Sequence, residues 1–169
     1  MKKFLAISIL MFAFAAVTFG QVTASATASA TIVSPIAIAR TAHMNFGNVA
    51  VSTAAGTVVL APGGGRSVSG GVTLPATTGT VTAASFTVSG TPGYTYSIII
   101  PTTDYIISTG GNNMTVNTFT STPTVALGGT LDGTGNQTLN VGATLNVSGS
   151  QAPGTYTNAT GFNVTVNYN

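Results

Sequence analysis

The sequence predicts an all-β protein built as a sandwich or a barrel, and three observations lead to this prediction. Val, Ile, Thr, Tyr and Phe recur in short runs that alternate with polar residues, which is the period of a strand with one buried face. Clusters of Gly and Pro separate most of these runs, as turns separate strands. Helix formers such as Glu, Lys, Gln, Arg and Met are nearly absent after the first 20 residues. Many short strands between closely spaced turns are typical of sandwiches and barrels.

The first 20 residues have the pattern of a secretory signal peptide. Lys2 and Lys3 form a short positive region, and Phe4 to Val17 is an apolar run too short to cross a bilayer. Thr18 and Gly20 place small residues where signal peptidase requires them, so we expect cleavage after Gly20. We therefore predict an exported protein that folds without disulfides, since the sequence contains no Cys.

The segment 21–34 is the first predicted strand, and its alternation is nearly perfect. Thr and Ser occupy the odd positions of residues 22–32. Small apolar side chains occupy the even positions, which places them together on the other face of a strand: Val22, Ala24, Ala26, Ala28, Ala30 and Ile32. Pro35 then interrupts the pattern, because proline has no N–H for a strand ladder.

Residues 35–169 are predicted to form one sandwich domain. Apolar parity resumes at Ile36 and Ile38 and again at Met44 and Phe46, and Gly47 ends that strand. Further alternating runs predict strands at Thr57–Leu60, Ser67–Leu74, Ala84–Ser89, Tyr94–Ile100, Met114–Phe119, Gln137–Val141, Thr144–Val147 and Gly161–Tyr168. The last strand carries Phe162, Val164, Val166 and Tyr168 on its apolar face.

The charge of the chain after residue 20 excludes several classes of function. Only Arg40, Arg66, Asp104 and Asp132 are charged there, and their charges sum to zero. This leaves no basic patch for nucleic acid, and no later stretch is long and apolar enough for a membrane span. Such a chain is suited to assembly or to a place at a surface, because net charge no longer keeps copies apart.

Residues capable of catalysis are few. His43 is the only His, its parity places it on the polar face of its strand, and no G-x-S-x-G turn is present. Asp104 and Asp132 are the only carboxylates available for a glycosidase pair. Both lie in turn-rich contexts, where Asp commonly bonds its own backbone. We therefore predict that the protein is not an enzyme, with a hydrolase based on His43 as the remote alternative.

Candidate ligand sites are equally sparse, and the sequence predicts neither a metal nor a cofactor. Asp132 and Asn136 would bind calcium only weakly, because the clustered carboxylates of a calcium loop are missing. Residues 62–66 (PGGGR) lack the ending of a phosphate loop and instead predict a β-hairpin loop. Tyr94 and Tyr96, with Tyr105, would form a sugar-stacking platform if they were exposed, although packing in a core or an interface is the more usual use of such residues.

The alternating strands at the two ends of the domain suggest a mode of assembly. A strand at the edge of a sheet leaves N–H and C=O groups unpaired, and a strand from another chain satisfies them. The Ala-faced segment 22–32 is the candidate donor strand, and the strand with Phe162 to Tyr168 is the candidate acceptor. The sequence leaves open whether residues 22–32 pair within their own sheet or with another copy.

Several motifs in order resemble those of a known bacterial family. They are Ala26 to Ile36 (ATASATIVSPI), Asn45 to Gly47 (NFG), Val141 to Val147 (VGATLNV), Gly154 to Tyr156 (GTY) and Phe162 to Tyr168 (FNVTVNY). Together they resemble the bacterial domain of unknown function DUF4402, over nearly the whole chain after residue 20. The closing GTY and final strand are also similar to spore-coat-U-like and archaic chaperone–usher pilins.

The pilin resemblance implies an immunoglobulin-like sandwich, passage through the periplasm and assembly into surface fibres. On this basis we expect a structural subunit of a bacterial cell-surface filament. Its partners would be further copies of itself, a periplasmic chaperone and an outer-membrane assembly protein. The alternative is a monomeric secreted or surface-attached binding module, for example one that binds glycans.

Overall fold

The structure, a computed structural model, describes residues 20–169. The predicted signal peptide lies outside the described residues except for Gly20. The chain divides after Ile32 into two units. Residues 20–32 belong to the first unit, contain no strand and are exposed at every position. Residues 33–169 form the second unit, which is the folded domain.

The domain is built from strands, and residues 20–169 contain no helix. Its strands are β1 (Ala37–Ala42), β2 (Ala50–Leu60), β3 (Arg66–Thr73), β4 (Ala84–Ser89), β5 (Thr95–Ile99), β6 (Tyr105–Thr109), β7 (Asn112–Thr122), β8 (Gly129–Thr130), β9 (Asn136–Val147) and β10 (Thr165–Tyr168). Segments that contain Gly or Pro separate most of these strands, at positions where the sequence predicts turns. The loop of residues 61–65 joins β2 to β3 and is closed by hydrogen bonds between Ala61 and Gly64 and between Ala61 and Gly65.

The strands form two antiparallel sheets. The first has seven strands, with β1-β4-β9-β2-β3 as its main path and β7 pairing both β6 and β9. The second has three strands in the order β10-β5-β8. All ladder pairings are antiparallel. The predicted all-β class and the sandwich alternative are confirmed.

Strand β9 organises the larger sheet. Its residues 136–141 pair with β4 and its residues 143–147 pair with β2. Gly142 lies between these two stretches, and a Cβ there would lie 2.1 Å from the carbonyl oxygen of Leu60. The sequence predicts two strands, 137–141 and 144–147, whereas the structure has one. The reason is that the glycine serves a close approach between backbones and does not end the strand.

The core lies between the faces that the alternation predicts to be buried. In β4 the even-numbered Ala84, Phe86 and Val88 are buried, and in β5 Tyr96 and Ile98 are buried. They join one apolar cluster with residues of other strands and of two loops, at Phe46 and Leu131. The strand residues are Val58, Leu60, Val72, Val116, Phe119, Leu139, Val141, Ala143, Leu145, Val147 and Val166. Period-2 patterning therefore identified the core face correctly, as expected for strands that cover a core on one side.

Some predicted strands are shorter in the structure or absent. Residues 22–32 form no strand, and the final strand covers only residues 165–168 of the predicted 161–168. Residues around Met44 and Phe46 contribute a single bridge, between Asn45 and Thr82. Alternation predicts which residues suit a strand, but a strand also needs a neighbour, and these segments lack one along most of their length.

Candidate functional site: an open strand edge and an adjoining cleft

Strand β10 is an edge strand whose outer side is unpaired within residues 20–169. It pairs only with β5, with Thr165 opposite Ile99 and Asn167 opposite Ser97. The N–H of Asn169 donates to the carbonyl of Thr95. Because inward-directed and outward-directed residues alternate in an antiparallel ladder, the N–H and C=O groups of Val166 and Tyr168 point away from β5. They are free to bond to an added strand.

A network of hydrogen bonds joins the C-terminal end of β10 to the start of the domain. The Tyr168 hydroxyl donates to the carbonyl oxygen of Ser34 at 2.9 Å and accepts from the N–H of Thr91 at 2.7 Å. The N–H of Ser34 donates to the Thr91 hydroxyl at 2.9 Å. The chain segment that precedes β1 is therefore held beside the Tyr168 end of β10.

The other end of the predicted strand, residues 161–164, has no ladder partner. Continuing the register places Val164 opposite Ile100 and Asn163 opposite Pro101, and proline has no N–H to donate. The Phe162 side chain is nevertheless half-buried, with its ring centroid 5.0 Å from that of Phe119 and 5.8 Å from that of Tyr105. The apolar face of the terminal strand is thus in place, although half of its backbone ladder is missing.

Phe162 also lines a cleft of about 1010 Å³. One part of its wall comes from the inward-facing side chains of β4, β6, β7 and β9: Ala84, Phe86, Tyr105, Ile107, Met114, Val116, Leu145 and Val147. Most of the rest comes from residues 42–51 and 151–162, with Arg40 and Thr80. Apart from the end of β1 and the start of β2, the two segments form only isolated bridges, at Asn45 and at Thr157. The cleft therefore opens where the larger sheet is covered by irregular chain.

Formal charge around this cleft is sparse. Arg40 is the one formally charged residue of its described lining, which contains no Asp or Glu. Burial raises the pKa of Tyr105, which also contributes to the wall. The site is unsuited to a cationic occupant, because nothing in its described lining would pair a buried cationic group.

The candidate catalytic side chains make separate contacts. His43 is exposed on the polar side of its segment, as predicted. Asp132 accepts from the N–H groups of Thr134 and Asn136 at 2.7 and 3.0 Å, which confirms the prediction that it bonds its own turn. Hydrogen bonds from Thr134 and Asn136 hold the Asp132 pKa below its usual value. Asp104 instead accepts from the Asn117 side chain at 3.1 Å.

The tyrosine platform does not exist. Tyr94 is 43% exposed, but Tyr96 is completely buried and its hydroxyl donates to Gln137 Oε1 at 2.8 Å. Tyr94 packs edge-on against Tyr168 with a centroid separation of 5.6 Å. Tyr94 and Tyr96 share a face, as parity predicts, because Tyr168 lies opposite Tyr96 and packs against Tyr94. This face is turned towards the core, so it offers no platform for a sugar. Packing in the core, the other use foreseen for these residues, is what Tyr96 does.

Two further findings concern metals and membranes. Among residues 20–169, no group of three or more His, Cys, Asp or Glu side chains converges to hold a metal ion. In the same stretch, no helix has the length and hydropathy needed to cross a membrane.

Sequence reasoning identified the terminal strand but missed the cleft beside it. The signal that bears on the cleft is the stretch 148–164, which has turn residues such as Pro153 and Gly154 and no ladder strand. Long irregular segments of this kind are uncommon in compact domains and are usually functional. A cavity also depends on which elements cover a sheet, and the pattern of a single chain does not record this.

Fold and site together define an antiparallel β-sandwich with an open edge strand, a cleft at one end of that strand and an unpaired, alternating N-terminal segment. Residues 36–168 match the family model described as a domain of unknown function (DUF4402), and the chain belongs to this family. The predicted family membership is thereby confirmed. No curated protein and no solved structure matches the chain.

Proposed function

We propose that the protein is a structural subunit of a bacterial cell-surface filament, assembled when residues 22–32 of one copy add a strand to the next copy. Its chemistry is non-covalent and not enzymatic. The predicted signal peptide delivers it to the periplasm, where a chaperone and an outer-membrane assembly protein would handle it.

One observation carries the proposal: an alternating segment without a ladder partner precedes the domain in the chain, and the last strand of the domain has an unpaired edge. Residues 22–32 are exposed, and Val22 and Ile32 are 98% and 97% exposed. No strand of the described chain pairs with this segment, so its backbone N–H and C=O groups are available to another copy. The outward N–H and C=O groups of Val166 and Tyr168 supply matching backbone partners.

Strand donation from each copy to the next would build an open fibre. The donor segment and the acceptor strand β10 are different surfaces, so the contact is heterologous and each added copy presents a new acceptor. The domain has only four formal charges, which sum to zero, so repulsion between stacked copies is small. β-strand addition gives affinity through main-chain hydrogen bonds and specificity through alternate side chains.

The test compares protein that begins at residue 21 with a variant lacking residues 21–33, by size-exclusion chromatography and electron microscopy. We expect the variant to remain folded but monomeric, since Ser34 and its hydrogen bonds are kept. A matched pair of substitutions refines the test. Ala28→Asp places a charge on the apolar face and should block assembly, whereas Thr27→Asp places it on the hydroxyl face and should be tolerated. Fibres formed by the deletion variant, or a strictly monomeric full-length protein, would refute the proposal.

A further inference from the structure

We infer that the donor segment docks antiparallel to residues 161–168 of the next copy, with Ile32 seated in the cleft beside Phe162. This inference rests on the proposed function and adds the direction, the register and the anchor residue. It follows from the sizes of the donor side chains, from where the cleft lies and from where the donor is tethered.

Side-chain size distinguishes the two ends of the donor. The four central residues of its apolar face are Ala, and only Val22 and Ile32 are larger. On the acceptor, Val166 is buried and Tyr168 is held by Ser34 and Thr91, so there is little room at that end. The cleft of about 1010 Å³ opens at the Phe162 end. Ile32 therefore fits where the cleft is, and the alanines fit where the edge is tight.

The tether decides which copy supplies Ile32. Ser34 accepts a hydrogen bond from the Tyr168 hydroxyl of its own chain. Antiparallel docking with Ile32 beside Phe162 places the donor's Ser34 two residues beyond Phe162, about 26 Å along an extended strand from Tyr168. A donor that docks in this direction must therefore come from another copy.

The free groups of β10 then fix the register. Because Val166 and Tyr168 direct their backbone groups outward, the donor residues opposite them form hydrogen-bonded pairs and share their inward face. With Ile32 opposite Phe162, the remaining inward pairs are Ala30 with Val164, Ala28 with Val166 and Ala26 with Tyr168. Each small donor side chain thus meets a larger acceptor side chain.

This docking also accounts for the missing half of the terminal strand. Residues 161–164 have the alternation of a strand but no partner, because β5 gives way to Pro101. A donor running alongside would bond to this half as well as to residues 165–168. We expect residues 161–164 to become part of β10 in the assembled protein.

Disulfide mapping tests the direction, and the absence of Cys from the sequence gives it a clean background. Copies carrying Thr27→Cys are mixed with copies carrying Asn167→Cys or Asn163→Cys, all three being exposed positions. Antiparallel docking places residue 27 opposite residue 167 in a non-hydrogen-bonded pair, with Cα atoms about 4.5 Å apart, which suits a disulfide. Parallel docking, with Ile32 at the Tyr168 end, would instead place residue 27 opposite residue 163, which lies about 13 Å from residue 167 along the strand.

The expected result is a cross-link between copies for residue 27 with residue 167 and none for residue 27 with residue 163. The reverse pattern, or fibres with neither cross-link, would overturn the docking direction while leaving strand donation intact. Absence of any fibre in the parent protein would instead refute the proposed function.

A second measurement tests the anchor. Ile32→Ala should speed the dissociation of copies by about 10- to 100-fold, the loss expected for removing a buried Ile side chain. Val22→Ala is the matched control, because in this register Val22 lies about 33 Å along the donor from the cleft and its truncation should change the rate less than about 3-fold. Equal effects of the two substitutions would overturn the assignment of Ile32 to the cleft.

Discussion

Gly142 is the point where β9 passes from β4 to β2, and replacing it with Ala tests this account of the sheet. A Cβ at residue 142 would lie 2.1 Å from the Leu60 carbonyl oxygen and 2.8 Å from both the Ala61 carbonyl carbon and the Pro62 nitrogen. All three atoms belong to the backbone, so no side-chain rotation relieves the contact.

The magnitude follows from how far the backbone must move. Ordinary van der Waals contact begins at 3.4 Å, so the strands must separate by more than about 1 Å at a point where Leu60 pairs with both Ala143 and Arg66. Overpacking in a well-packed interior costs about 1–3 kcal/mol. Since rigid ladders resist on both sides, we expect Gly142→Ala to lower the free energy of unfolding by about 3 kcal/mol. In a domain of this size that corresponds to about 6–12 °C in Tm.

Urea unfolding followed by tyrosine fluorescence measures this loss, and Gly63→Ala is the matched control. Gly63 lies in the exposed β2–β3 loop, and a Cβ there meets nothing within 4 Å. We expect the control to change the free energy of unfolding by less than about 0.5 kcal/mol. If both variants unfold at the same urea concentration as the parent protein, then β9 does not exchange partners across a closely approaching Leu60, and this part of the fold is wrong.

The remaining predictions concern the hydrogen bonds of Tyr168 and Asp132. Tyr168→Phe removes the hydrogen bonds to Ser34 and Thr91 and should lower the free energy of unfolding by about 1–3 kcal/mol. Hydrogen exchange at the Thr91 amide should become faster, and an unchanged exchange rate would contradict this hydrogen-bond network. Hydrogen bonds from Thr134 and Asn136 depress the Asp132 pKa, so their stabilisation is present above the ordinary Asp value of about 3.9 and is lost as pH falls through the lower folded value. Asp132→Asn should therefore flatten the decline of Tm in acid, and an Asn variant that declines as steeply as the parent would contradict this.

The candidate site shows how far single-sequence reasoning reaches. Parity along Phe162, Val164, Val166 and Tyr168 predicted the inward face of the terminal strand, and all four side chains are buried or half-buried. Parity also placed Tyr94 and Tyr96 on one face, but it did not decide that this face is covered, so that Tyr96 is completely buried. Parity did not predict β6 (Tyr105–Thr109), whose residues are only exposed or half-buried and follow Asp104 directly.

Residues 22–32 illustrate the other limit. Their alternation says that they suit a strand, yet no strand forms there in the described chain. A ladder needs two members, and the sequence of one member does not name the other. For this reason the partner of residues 22–32 stays a proposal.

The sequence by itself determined the all-β class, the turns and the buried face of the main strands, because these depend on local alternation and on the backbone preferences of Gly and Pro. Only the tertiary structure decided that β9 is continuous through Gly142, that Tyr96 is enclosed, and that β10 has an open side next to a cleft. These features arise where elements distant in the chain approach one another or leave space between them. Close approaches, open strand edges and clefts result from the packing of the whole domain, and no single position in the sequence encodes them.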